Sequence, residues 1–245
     1  MTRISPERTV AELVVEAPGR SRVFEELGID YCCGGRRSLA SACAERGLDA
    51  DAVAARLAEV EVEGGQEGED WAAAPLSALC DHIVEIHHAF LRRELPLLGA
   101  LVDKVARVHG DAHPKLLETQ EHYGAVAAEL RIHMAEEEEM LFPACRRLEE
   151  SGESGLDSLA DAVAELESDH AATGAALERI RLLNRDFAPP ADACNSYRAM
   201  LDRLETLERD LHRHIHEENN ILFPRAAARE AQSAGAPGSP PRVQE

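Results

Sequence analysis

A chain of 245 residues has room for one ordinary domain and a small companion. Its 26 Lys and Arg against 46 Asp and Glu leave a net charge of −20, which repels phosphate and disfavours nucleic acid and anionic membrane surfaces as partners. The 44% of apolar residues can bury a core, and 4% aromatics in an Ala-, Leu- and Glu-rich chain exclude an all-β fold and favour helices. Residues 1–8 include Arg3, Glu7 and Arg8 with no apolar run behind them, and no segment approaches the roughly 18 uncharged apolar residues of a membrane span. The expectation is a cytoplasmic protein without a membrane segment. Its six cysteines, irregularly spaced, read as thiols and not as staples.

Short helical patterns run from Thr9 to Glu16, from Gly19 or Ser21 to Leu27, and from Ser38 to Val60 with a break at Gly47. Between the second and third lies the Gly-bounded turn Gly28 to Gly35, with Ser38 as the expected cap of the helix that follows. These features make residues 1–60 a small helical domain, followed by a Gly-rich acidic linker over 61–74. Long helical blocks then cover roughly 76–109, 114–149, 156–186 and 190–230, joined by short breaks. That pattern predicts an all-α, antiparallel up-down-up-down four-helix bundle over 75–230. The Pro-, Gly- and Ser-rich stretch 231–245 is expected to be a loose tail.

The bundle repeats itself. His133 to Pro143 and His214 to Pro224 share His at the first place, Glu at the fourth and fifth, and Leu-Phe-Pro at the end. Each is preceded by a helix with a histidine at a matching distance: His88 lies 45 residues before His133, and His170 lies 44 before His214. In the fourth helix Met200, Leu204, Leu207, Leu211, His214, Glu218 and Ile221 alternate steps of four and three, the spacing of a buried seam. The second helix gives Tyr123, Val126, Leu130, His133, Glu137 and Met140. The third gives Leu159, Val163, Leu166, His170, Thr173, Leu177 and Ile180, and the first gives Val84, His88, Leu91, Leu95 and Leu98. Four histidines and two glutamates therefore point into one interior.

Two carboxylates buried among aliphatic side chains are costly without a positive neighbour, and the same seams carry no Lys or Arg. A metal resolves the conflict, because His and Glu at i and i+4 lie one above the other and can reach one site. Imidazole with carboxylate suits iron, zinc or manganese, and the lack of thiolate argues against structural zinc. Two bridging carboxylates with two histidines per metal would hold a pair of irons; with an oxo or hydroxo bridge each would keep a place for a small diatomic. His87 fits a seam nearly as well as His88, and the repeat spacing favours His88. Glu136 and Glu217 could stand in for Glu137 and Glu218, although the stepping prefers the latter. His212 and His216 align with charged residues and read as solvated, and His82, His109, His113 and His122 as ordinary.

His88 with Arg93 to Pro96, His133 to Pro143, Glu167 to His170, and His214 to Pro224 together resemble the hemerythrin-like domain of the repair of iron centres family, the ScdA and YtfE type. Asp30 to Gly35, with Cys32 and Cys33, resembles the double-cysteine signature of that family's small N-terminal domain. The resemblance covers about residues 5–228. It implies a non-haem di-iron protein, a possible homodimer, that restores iron-sulfur clusters damaged by nitric oxide or oxidants, with damaged iron-sulfur proteins as partners. It implies His88, His133, His170 and His214 as terminal ligands and Glu137 and Glu218 as bridges. A di-iron nitric oxide reductase and an O2 or nitric oxide sensor are the alternative functions.

Cys32 and Cys33 are adjacent, so a disulfide between them would close a strained ring. In a Gly-bounded turn near Arg36 and Arg37 they are expected to have lowered pKa values and to relay iron, nitric oxide or electrons from the di-iron site; two buried small hydrophobes are the alternative. Cys43, Cys80, Cys145 and Cys194 are expected to pack between helices.

Overall fold

A computed structural model describes residues 4–60 and 70–234, and among them every regular element is helical. Most of the expected linker, 61–69, and the tail from 235 onward lie outside the described residues.

The N-terminal unit is built from α1 (Val10–Glu16), α2 (Ser21–Leu27), α3 (Leu39–Arg46) and α4 (Ala50–Glu59). Three of the four starts are capped by a side chain. Thr9 and Glu12 form a reciprocal capping box at α1, Ser38 accepts the Ser41 N–H at 3.2 Å at α3, and the Asp49 carboxylate caps α4. Gly28 and Gly47 end α2 and α3 at φ of 64° and 67°, a left-handed conformation in which a Cβ would be strained. Leu13, Phe24, Tyr31, Leu39 and Leu57 form the fully buried centre of this unit.

The second unit is a four-helix bundle. Its first helix spans 76–109, its second 115–151, its third is Leu159–Leu183, and its fourth spans 195–234. Successive helices pack side by side, and the first closes against the fourth. The fourth helix runs to Ala234, so 231–234 continue the helix where the sequence suggested a tail.

Three of these helices contain a π-helical turn, at Ile83–His88, Glu137–Leu141 and Glu218–Leu222. In the latter two the Phe142 and Phe223 N–H groups reach back five residues, to the Glu137 and Glu218 carbonyls. The extra residue in the turn rotates everything after it, and π-bulges of this kind gather at functional sites. One expectation falls to this rotation. Met140, placed in the seam by even stepping, is 37% exposed, and Leu141, at 0%, takes the interior position.

Two apolar clusters fill the bundle. One, with Leu95, Leu130, Leu177 and Leu207, occupies one end; the other, with Leu79, Leu141, Leu166 and Leu222, occupies the end where the N-terminal unit docks. His88, Glu137, His170 and His214 fall between them along all four helices.

Candidate metal centre

The six residues read from the seams are buried and meet. Glu137 and Glu218 are completely inaccessible, and the four histidines are at most 6% exposed. Donor atoms of His88, Glu137, His214 and Glu218 lie within 4.8 Å of one another, and so do those of His133, Glu137, His170 and Glu218. The two groups share both carboxylates. Glu137 turns Oε2 to His88 Nε2 at 3.2 Å and Oε1 to His133 Nε2 at 3.1 Å. Glu218 likewise turns Oε2 to His170 Nε2 at 3.2 Å and Oε1 to His214 Nε2 at 3.0 Å. Glu136 points to solvent, and Glu217 belongs to a separate group.

The protons decide whether such a set suits a metal. His88 Nδ1 donates to Glu138 Oε1 at 2.6 Å, and His170 Nδ1 donates to Asn219 Oδ1 at 2.7 Å. A neutral ring with Nδ1–H carries a lone pair on Nε2. In both rings that lone pair faces a carboxylate oxygen, and His170 Nε2 also faces His133 Nε2 at 2.8 Å. Electron-rich atoms held this close require a cation between them, a proton or a metal. His88 Nε2, both Glu137 oxygens and Glu218 Oε2 are buried without a hydrogen-bond partner, which is the donor pattern a metal would satisfy. Without metal, protons serve. Burial pulls His133 down, but Glu137 overrides it and holds its pKa at about 9, and His88 and His170 are raised in the same way. Burial would raise Glu218, yet His214 and His170 hold it well below the usual carboxylate range. Nitrogen and oxygen donors without thiolate suit iron, manganese or zinc.

The repeat extends beyond the six. Glu138 and Asn219 hold the same place in the two motifs, and each accepts from the histidine of its own half, 50 and 49 residues upstream. Phe142 stacks on His88 at 5.7 Å and Phe223 on His170 at 5.9 Å, so the two Leu-Phe-Pro ends cover equivalent rings. Sequence reading missed Glu138 and Asn219, although the duplicated register contained them.

The N-terminal unit docks against the third helix at the His170 backbone and against the fourth helix. His212, His216 and Asn220 form one row of the fourth helix and receive the turn that carries the cysteines. His216 Nδ1 lies 3.2 Å from the Tyr31 carbonyl, Asn220 Nδ2 donates to the Cys32 carbonyl at 2.9 Å, and the Tyr31 ring packs edge-on to both histidines. The solvated reading of His212 and His216 is therefore wrong: another domain, invisible to the periodicity of one helix, covers them. Burial holds His212 down at about 4 and lowers His216 as well.

Asp30 organises the cysteine turn, its carboxylate accepting from the Cys32 and Cys33 N–H groups at 3.0 Å each and from Gly34 N–H at 2.8 Å. The thiols lie 3.8 Å apart, and Cys33 Sγ is 3.5 Å from the His170 carbonyl oxygen. Their expected common activation does not hold. The Cys33 thiol next to it, burial and the Asp30 carboxylate push Cys32 well up, while the hydrogen bond from Cys32 lowers Cys33. Arg36 pairs with Glu167 and Arg37 with Glu45 instead. Cys43, Cys80 and Cys145 are fully buried as expected; Cys194 is not, lying exposed at the start of the fourth helix 3.2 Å from His109 Nε2.

His82 departs from its ordinary reading, and His87 is buried but lies outside the six-residue centre. The π turn lets consecutive residues His87 and His88 both face inward, and His87 turns away from the six-residue centre to Asp210 and Glu217, where His82 joins it.

Comparison with known proteins finds two family models along the chain. The model of the domain of unknown function DUF542, the ScdA N-terminal domain, matches residues 6–61, and that of the hemerythrin HHE cation binding domain matches 79–226. The chain is 37% identical over 228 residues to the iron-sulfur cluster repair protein YtfE of Musicola paradisiaca, covering 92% of this chain and 98% of that one. It is 36% identical over 225 residues to the YtfE protein of Escherichia coli O81, covering 91% and 98%.

Proposed function

The chain belongs to the hemerythrin HHE family in the two-domain form of the YtfE iron-sulfur cluster repair proteins, and from that premise we propose that it holds two irons and repairs damaged iron-sulfur clusters. The observation that carries this reading is the sharing of Glu137 and Glu218, each offering one oxygen to each histidine pair. His88 and His214 would hold one iron, His133 and His170 the other, and the two carboxylates would bridge them. Two irons so held would supply a removable stock of metal and open positions for a diatomic such as nitric oxide. The protein's own residues orient the donors, exclude water behind Phe142 and Phe223, and place the Cys33 thiol against the backbone of His170.

Iron so held would let the protein give iron to a client cluster or take nitric oxide from it, and Cys32 and Cys33, beside His170, would serve as the exit. Metal analysis with the optical spectrum of the purified chain tests the first half: two irons per chain with oxo-bridged absorption support it, and a single zinc overturns it. A double Cys32→Ser, Cys33→Ser variant tests the second half. It should keep its iron yet fail to restore a nitric oxide-damaged iron-sulfur enzyme; full restoration removes the thiols from the scheme. Anaerobic assay of nitrous oxide from the reduced protein separates turnover of nitric oxide from iron delivery.

A further inference from the structure

Beside the six-residue centre, on the far side of His214, a second group of donors converges. The His87 ring lies parallel to the His214 ring at 5.2 Å, with its own nitrogens directed at Asp210 and Glu217. Its Nδ1 is engaged with Asp210 Oδ1 at 3.1 Å, an ordinary hydrogen-bond length. That bond places the proton on Nδ1 and leaves Nε2, buried and without a hydrogen-bond partner, directed at Glu217. Glu217 Oε2, equally unpartnered, lies 3.5 Å from His87 Nε2 and 3.4 Å from His82 Nε2.

These two distances are too long for good hydrogen bonds. They are instead the edge of a tetrahedron: donors about 2.1 Å from a common zinc-like cation stand about 3.4 Å from one another. The three donor atoms lie within 4.8 Å of each other, and His87 is only 3% exposed. Its carboxylate-held Nδ1 is the arrangement that fixes tautomer and ring direction in metal-ligating histidines. His82, with a side chain 25% exposed, opens the group to solvent, and the Trp71 ring covers it at 4.4 Å between centroids. Arg225 holds the Trp71 turn, donating to its carbonyl at 2.6 Å.

We propose that His82, His87 and Glu217 form a further divalent-cation site, with Asp210 as the positioning residue and His82 as the entry side. Two imidazoles and one carboxylate, with water completing the shell, suit Fe2+ or Zn2+. The site does not depend on what the six-residue centre holds.

Cobalt is the probe. Anaerobic titration of the iron-loaded full-length chain with Co2+ should show one further equivalent with the visible bands of low-coordinate cobalt. Anomalous difference maps of Co2+-soaked crystals should place a peak among His82 Nε2, His87 Nε2 and Glu217 Oε2. His82→Ala, at a partly exposed position, should weaken that equivalent about tenfold or more while iron content stays unchanged. No peak at that place, or equal cobalt uptake by His82→Ala and the parent, overturns the proposal and leaves a proton on His87 as the occupant. The peak in the unaltered chain decides the matter even if the variant folds badly. A peak here with no metal among the six central residues would sustain this site and sink the di-iron reading.

Discussion

Asn219 Oδ1 accepts the Nδ1 proton of His170 at 2.7 Å, and in doing so fixes which nitrogen of that ring faces Glu218. The symmetric place in the other half is held by Glu138, which accepts from His88 at 2.6 Å but is also claimed by Arg92. One half thus orients its ring with a neutral amide and the other with a charged, partly solvated carboxylate. The neutral acceptor adds no charge to a centre that already contains two carboxylates.

Removing that amide should loosen the ring without removing a donor. Asn219→Ala is expected to weaken metal affinity by about 10- to 100-fold, the usual cost of losing a hydrogen bond behind a ligand. Asn219→Asp, which keeps an acceptor, should recover most of it. Competition with a chromophoric chelator reads both. Parent-like affinity in the alanine variant would mean that packing against Phe223 alone holds the ring.

Protons and metal compete for the same nitrogens. In the metal-free chain burial would lower His133, but Glu137 keeps it at about 9 against an ordinary value of 6.5, and His88 and His170 shift in the same direction. Metal takes the neutral ring, so loading must expel these protons and apparent affinity must climb as pH rises from 6.5 to about 9. The fold obeys the same sign. A raised histidine contributes stability that is fully present below 6.5 and is lost as pH passes through about 9. The Tm of the metal-free protein should therefore fall across that window, while that of the loaded protein changes less. Affinity independent of pH over the same range would contradict the histidine-carboxylate contacts.

The π turn at Glu137–Leu141 makes a prediction opposite to the even heptad stepping. Leu141→Ala should cost about 2–5 kcal/mol, as for a large-to-small change in a packed core. Met140→Ala, at a position 37% exposed, should stay within about 0.5 kcal/mol. Denaturant unfolding of the two variants reads the register directly; a larger loss at Met140 would restore the unbroken helix.

That example marks where sequence pattern stops. The seam stepping brought out His88, His133, His170, His214, Glu137 and Glu218 because polar groups at core positions are anomalous, and the structure gathers those six. Periodicity assumes a constant 3.6 residues per turn, so it carried Met140 inward past a turn that holds one residue more. It also sees one helix at a time. His212 and His216 look solvated when only Glu205, Glu208 and Arg209 are considered, since the Tyr31 turn that buries them comes from 185 residues away in the case of His216. His82 was passed over for a related reason, and His87 was weighed only against His88: their partners Asp210 and Glu217 lie on another helix, off its apolar seam.

Docking of the cysteine turn has its own weak point at Gly35. A Cβ there would lie 2.5 Å from the Tyr31 carbonyl, 2.9 Å from the Ala11 Cβ and 3.1 Å from Asn220 Oδ1. Two of these neighbours belong to the N-terminal unit and the third to the fourth bundle helix, so the glycine is required by close approach and not by its own φ. Gly35→Ala forces the Tyr31 backbone to move, and overpacking of this kind costs about 1–3 kcal/mol. The displacement should pull the Tyr31 carbonyl from His216 and the Cys32 carbonyl from Asn220, two of the bonds that tie the turn to the bundle. Metal content should survive, because the atoms a Gly35 Cβ would meet first belong to Tyr31, Ala11 and Asn220 and to none of the six central residues. Amide exchange at Cys32, Cys33 and Gly34 should quicken, and the reactivity of Cys33 toward a thiol reagent should rise as it leaves the His170 carbonyl. Unchanged exchange at these amides would show that the turn tolerates the added methyl and that Gly35 does not set the dock.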